Sequence, residues 1–158
     1  MNYKITIQVA CQDKLPVHRK IIKNWVKLTL KEHIKRGELT VRLVTKDEIT
    51  NLNMTYRQQP KPTNVLAFPS QLPNGVVLNC PLLGDVVICP AVLQQEADIQ
   101  NRPIVAHWAH IIIHGVLHLL GFDHIEPKDA KLMQTAEVTL LTKLHFTNPY
   151  QDEDTNLE

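Results

Sequence analysis

Five of the eight histidines in this 158-residue chain, His107, His110, His114, His118 and His124, fall within eighteen residues, in a stretch whose spacing predicts a helix over residues 104–120. Pro103 suits the first turn of that helix, where its missing N–H would be unpaired anyway, and Gly121 suits a left-handed end. A helix rises about 1.5 Å per residue, so His114 and His118 stand one above the other, about 6 Å apart. Two imidazoles at that spacing can converge on one ion at roughly 2.0–2.1 Å each. His110 shares the face but lies about 12 Å along the axis from His118, so one helix cannot supply three ligands. Gly121 provides the third by another route: a left-handed residue there turns the chain back and brings His124 toward the pair. The expected site is His114, His118 and His124, with His107 and His110 as hydrogen-bonded core residues or supports of the ligands.

Three neutral nitrogens leave one tetrahedral position for water, the layout of a catalytic rather than a structural zinc. One Zn2+ per chain is expected, and iron, nickel or cobalt stay open because imidazole suits them too. The spacing H-x-x-x-H-x-x-G-x-x-H also belongs to metzincin proteases, and Met133, nine residues past His124, sits where their methionine could lie beneath the metal. Those proteases need a glutamate directly after the first histidine as general base. Here that residue is Gly115, which cannot take a proton.

The rest of the chain reads as one domain over residues 1–150 with an acidic tail, 151–158, expected to be disordered. Residues 3–9 and 38–45 alternate as half-exposed strands, and residues 16–35 carry apolar residues at helical spacing with Lys20, Lys23, Lys27 and Lys31 on another face, with Gly37 as the stop. A short helix capped by Thr45 or Asp47 runs to Arg57. Pro60, Pro62, Pro69 and Pro73 then forbid helix around a short edge strand at 64–68. Residues 82–89 read as a buried strand interrupted at Gly84-Asp85, and residues 90–100 and 127–144 as helices beginning with proline. The fold class expected is α+β, a small mixed β-sheet packed with several helices.

A hydrophobic content of 44% with 21% charged residues is that of a soluble globular protein, with no apolar run near the roughly 18 residues of a membrane span. The N-terminus lacks the features of a signal peptide, so a cytoplasmic protein is expected. Cys11, Cys80 and Cys89 form no C-x-x-C pair and are expected to be buried reduced thiols. Residues 1–62 hold 13 Lys and Arg against 5 Asp and Glu, and residues 63–158 hold 4 against 11. That asymmetry is compatible with a polyanionic partner and equally with a solvated lysine face.

The segment His114-Gly-Val-Leu-His118-Leu-Leu-Gly121-Phe-Asp123-His124 resembles the signature of the YbeY family of bacterial endoribonucleases, also called rRNA maturation factors. The resemblance extends upstream through Tyr56-Arg57, through Pro62-Thr63-Asn64-Val65-Leu66-Ala67-Phe68-Pro69 and through Leu83-Gly84-Asp85-Val86-Val87-Ile88. Ala67 replaces a common serine and Phe122 a common tyrosine. The resemblance implies metal dependence with His114, His118 and His124 as zinc ligands, and Arg57 as the functionally important basic residue. It also implies single-stranded or ribosomal RNA as substrate, with the small ribosomal subunit as partner. A guanidinium can bind phosphate bidentately and oppose the charge that develops as a phosphodiester is attacked. Asp85 and Asp123 are the candidate general bases by motif position, with a turn or a ligand-orienting role as the alternative for each. The expected function is a zinc-dependent single-strand-specific endoribonuclease acting in rRNA maturation and ribosome quality control. The alternatives are a zinc metallopeptidase and a non-catalytic, zinc-stabilised ribosome-assembly factor.

Overall fold

The two alternating segments form neighbouring parallel strands, β1 (Asn2–Ala10) and β2 (Arg36–Val44), joined by helix α1 (Arg19–Lys31). The computed structural model describes residues 2–70 and 80–150. It continues with α2 (Lys46–Arg57), β3 (Val65–Pro69), β4 (Leu82–Ile88), α3 (Pro90–Gln100), α4 (Ile104–Leu119) and α5 (Pro127–Lys143). The sheet order is β1-β2-β4-β3, with β4 parallel to β2 and β3 antiparallel to β4 at one edge. The expected α+β class with a small mixed sheet is therefore what the chain adopts. Pro69 is tolerated in β3 because an edge strand can spare an N–H. Pro73 and the acidic tail lie outside the described residues.

Local chemistry moved some boundaries. Helix α1 starts later than residue 16 because His18 caps it, its Nδ1 accepting from the Lys20 N–H at 3.1 Å, and it stops at Lys31 well before Gly37. Gly37 instead lies in β2 opposite Tyr3, where the Ile34 and Leu83 side chains would come within 3.0 Å of a Cβ. Thr45, not Asp47, caps α2, accepting from the Glu48 N–H at 3.2 Å. Strand β4 runs unbroken through Gly84-Asp85, but its register with β2 slips beside Gly84. A side chain at Gly84 would meet the Phe68 carbonyl oxygen at 2.1 Å.

Strand alternation sorts the sheet into two unlike faces. On one, Ile5, Leu39, Val41, Leu43, Val86 and Ile88 are covered by Ile22, Trp25, Val26 and Leu30 of α1 and by Trp108, Ile112, Ile113 and Leu117 of α4. Each fully buried aliphatic side chain contributes roughly 1.5–3 kcal/mol relative to exposure. On the other, α2 covers only a smaller cluster of Val44, Ile49, Leu66, Val87 and Cys89. The remainder of that face is polar, with Gln8, Thr40, Arg42 and Asp85 lining an open cavity of about 600 Å³. All three cysteines are free; Cys89 is buried as expected, whereas Cys11 and Cys80 are only half-buried.

Helix α4 is the centre of the molecule: α1, α3, α5 and the sheet all pack on it, and most of its residues are buried. It approaches the sheet so closely that a Cβ on Gly115 would lie 2.6 Å from Val86 Cγ1 and 3.2 Å from Val65 Cγ2. Contact that tight costs typically 1–3 kcal/mol when a methyl group is forced in. It outweighs the ~1 kcal/mol by which alanine improves on glycine inside a helix. Gly115→Ala should therefore lower the urea midpoint of unfolding. In a Val86→Ala background, where the nearest methyl group is gone and only Val65 Cγ2 at 3.2 Å remains, the same change should cost less. Equal effects of Gly115→Ala in both backgrounds would show that residues 115 and 86 do not meet.

Candidate metal centre

The C-terminal end of α4 is closed by two hydrogen bonds, from the Gly121 N–H to the His118 carbonyl at 3.1 Å and from the Phe122 N–H to the Leu117 carbonyl at 3.0 Å. Gly121, at φ 103°, is the left-handed residue such a cap needs. The turn sends the chain back along the helix. The Asp123 carboxylate accepts from the Ile125 N–H at 3.3 Å and shapes the turn locally, the alternative expected for it. Phe122 packs edge-on against His33, with ring centroids 5.3 Å apart, and so ties the turn to the end of α1.

This geometry brings the three predicted histidines together. Ring centroids are 4.6 Å apart for His114 and His118, 5.8 Å for His114 and His124, and 5.1 Å for His118 and His124. One nitrogen from each lies within 4.8 Å of the others. His114 Nε2 and His118 Nε2 face each other at 3.1 Å. Two ligands at about 2.0–2.1 Å on a tetrahedral ion are about 3.3 Å apart, so the donors fit one zinc-sized cation. His114 and His118 are half-buried and His124 is exposed, which leaves the cluster open to solvent on one side.

Burial, followed by the neighbouring charges of His114, His124 and Arg57, pushes the His118 pKa down from 6.5 to about 4, against a backbone contact from Phe122 that raises it. At neutral pH its ring is therefore uncharged and keeps a lone pair for a cation. Arg57, at the exposed end of α2, thus lies within electrostatic reach of a ligand on the opposite side of the sheet. The edge strand makes that possible. Val65 meets Gly115 of α4 on the inner face, while Phe68 stacks edge-on with Tyr56 at 5.0 Å on the outer face and pins the end of α2.

A residue that spacing did not single out lies beneath the histidines. Glu137 of α5 is fully buried, and its Oε1 accepts from His114 Nδ1–H at 2.5 Å. Its Oε2 accepts from His110 Nε2–H at 3.1 Å and from the Tyr150 hydroxyl. Burial alone would raise its pKa, but the hydrogen bonds from His110 and His114, with their charges, outweigh that and hold it at about 2. His110, Glu137 and His114 also cluster as potential ligands. The 2.5 Å separation, however, is a hydrogen-bond distance, shorter than two ligands on one ion would keep. The sequence did carry a signal: Glu137 is the one charge on the α5 stripe of Met133, Leu140 and Leu141.

His107 points elsewhere. Its Nε2 donates to Glu96 at 2.9 Å, its Nδ1 accepts from Arg102 at 3.2 Å, and Glu96 also accepts from Asn64 at 3.2 Å. This network fastens α4 and α3 to the segment leading into β3. Asp85 lies on the polar cavity face, across the sheet from the ligand helix, and is not in the group of side chains that could share an ion. Gly115 likewise faces the sheet and not the cluster.

Fold and site together define an α+β protein with a solvent-open three-histidine cluster able to hold a metal ion. The family described as Endoribonuclease YbeY matches residues 6–145. Among relatives, the Endoribonuclease YbeY of Legionella pneumophila (strain Corby) is 52% identical over the full length of both chains. That of Psychromonas ingrahamii is 46% identical, covering 97% of this chain and 99% of the relative. The solution structure of TM1509 from Thermotoga maritima superposes with a TM-score of 0.61 at 27% identity, covering 96% of this chain and 93% of that one. The chain belongs to the YbeY endoribonuclease family.

Two outcomes follow from the geometry. The purified protein should bind about one Zn2+, and alanine at His114, His118 or His124 should weaken binding by more than the about 10–100-fold typical of residues that only support ligands. His107→Ala should lower stability and leave zinc affinity unchanged, as measured by chelator competition. For the metal-free protein, the unfolded chain takes up a proton at His118 near pH 6.5 but the folded chain only near 4. Stability in urea should therefore be fully present above about pH 6.5 and fall as pH drops toward 4, with His110, also lowered by burial, acting in the same sense. Greater stability at pH 5 than at pH 7 would contradict the neutral, buried state of these rings.

Proposed function

We propose that this chain is a zinc-dependent single-strand-specific endoribonuclease that acts in rRNA maturation and ribosome quality control, in the cytoplasm, on RNA of the small ribosomal subunit. The observation that carries this reading is the pairing of a solvent-open three-histidine cluster with the exposed guanidinium of Arg57 in electrostatic reach of it. Relatives that align end to end with the chain bear the name Endoribonuclease. No helix among the described residues is long and apolar enough to cross a membrane.

His114, His118 and His124 would hold the ion, and their neutral rings leave its charge undiminished. Bound there, zinc supplies a Lewis acid that polarises a phosphoryl oxygen and activates water near neutral pH. Arg57 then serves as the planar fork that grips a non-bridging phosphate oxygen pair and opposes the negative charge that grows during attack. Exposed Lys20, Lys27 and Lys31 add positive charge along α1, whose end meets the ligand turn through His33 and Phe122, and so favour a polyanion. A peptidase reading loses its base twice over, because residue 115 has no side chain and points into the helix–sheet contact.

Arg57→Ala should reduce RNA cleavage by about 10²–10³-fold, the range for losing one preorganised donor to transition-state charge. Arg57→Lys should recover only part, since it restores charge without the fork, and zinc content and folding should stay normal in both. The wild-type protein should cut single-stranded RNA in a chelator-sensitive manner and leave unfolded casein intact. His118→Ala protein prepared identically should cut neither substrate. Equal RNA cleavage by that variant would assign the activity to a contaminant and end the nuclease reading. Casein degradation would favour a peptidase, and zinc binding without cleavage an assembly factor.

A further inference from the structure

We infer that Glu137 is a positioning residue for the metal ligand His114, and that Tyr150, by holding Glu137, couples the docking of the chain segment after α5 to metal binding. The inference rests on the reading that the three histidines hold a metal, but its first observation does not. A carboxylate only accepts hydrogen bonds, so the contact with His114 Nδ1 at 2.5 Å places the ring proton on Nδ1. The Nε2 lone pair is then free, and Nε2 is the atom that faces His118 at 3.1 Å. Without a fixed acceptor at Nδ1, neutral imidazole divides between two tautomers, one of which presents N–H to the ion.

His110 serves the same carboxylate. Its Nδ1 is buried with no partner among the described residues, and an acceptor left unpaired is better tolerated than an N–H, so the proton sits on Nε2 and points at Glu137. Glu137 thus receives three donors: two from α4, and one from Tyr150, which lies beyond the end of α5. The segment between has its own anchors. The Phe146 N–H donates to the Leu141 carbonyl at 2.9 Å and the Phe146 ring packs edge-on against Trp25, while the Tyr150 N–H donates to Asn148 at 2.8 Å. These contacts present the Tyr150 hydroxyl to a buried carboxylate oxygen whose other donor is His110.

A carboxylate retained only for folding would predict a different response to substitution. Glu137 sits on an apolar stripe with Met133, Leu140 and Leu141, but Glu137→Met takes the shared acceptor from three donors, so it should melt below the wild type while still folding. Removing the acceptor should also weaken Zn2+ binding by about 10–100-fold in competition with a chromophoric chelator. In nitrogen NMR of the metal-free full chain, His114 should change from a single Nδ1–H tautomer to a mixture. Glu137→Gln, which keeps one oxygen for His114, should restore part of both. Tyr150→Phe should fold normally and weaken zinc binding by a smaller factor, on the order of tenfold or less. Because coupling is reciprocal, Zn2+ should slow hydrogen exchange at residues 146–150 in wild type and not in Glu137→Met.

Wild-type zinc affinity and an unchanged His114 tautomer in Glu137→Met would overturn the positioning role. Unchanged zinc affinity in Tyr150→Phe would overturn the coupling, even if Glu137→Met fails to fold. Should the wild-type protein bind no zinc, the metal reading itself fails, whereas the tautomer measurement on metal-free protein still decides whether Glu137 orients His114.

Discussion

Everything in this molecule is arranged around the contact between α4 and the sheet at Gly115. With no Cβ at that position, the helix lies against Val86 and Val65 at a distance a larger residue would forbid. The close approach fixes the rotation of the helix about its axis, and one rotation decides three things at once. Ile112, Ile113, Val116 and Leu117 enter the core, His107 faces α3, and His110, His114 and His118 line up toward α5 and the ligand turn. A helix buried on nearly every side leaves little freedom to the polar groups it carries, and each of its histidines is accordingly given a partner.

That requirement shapes the site. A buried carboxylate such as Glu137 is costly to desolvate, and its donors would be left unpaired without it. It persists where three donors converge on it and where one of them is an imidazole whose orientation matters. The other buried polar side chains among the described residues, Thr29, Asn53 and His107, are satisfied away from the cluster. The two carboxylates that motif position offered as bases, Asp85 and Asp123, are placed on the far face of the sheet and in the turn.

The edge strand has a second role beyond closing the sheet. Short, antiparallel and ending in proline, β3 is thin enough for its two faces to touch different layers, α4 through Val65 and α2 through Phe68. Helices on opposite sides of a sheet are ordinarily isolated from each other by about 20 Å of packed layers. At the edge the charge of Arg57 on one layer reaches His118 on the other, more weakly than those of His114 and His124. The Asn64–Glu96–His107 network holds the segment leading into the strand in place, which explains why polar residues precede an otherwise apolar stretch.

The α+β class and most elements were legible in the sequence because alternation and helical spacing are local, and because proline and glycine punctuate them. The three histidines were legible for the same reason: a helical repeat of four and a glycine turn, all within eleven residues, suffice to converge them. What local spacing could not supply was anything contributed from another layer. Gly115 reads in the sequence as a missing base, but only packing shows it to be the point of contact with Val86. Arg57 stood out by family resemblance alone, since its proximity to His118 depends on a wrap around the sheet edge. Glu137 lies 23 residues beyond His114 and Tyr150 another 13 beyond Glu137, on a helix and a segment whose docking is set by the whole core. Short-range periodicity determines which side chains share a face; only tertiary packing decides which faces meet.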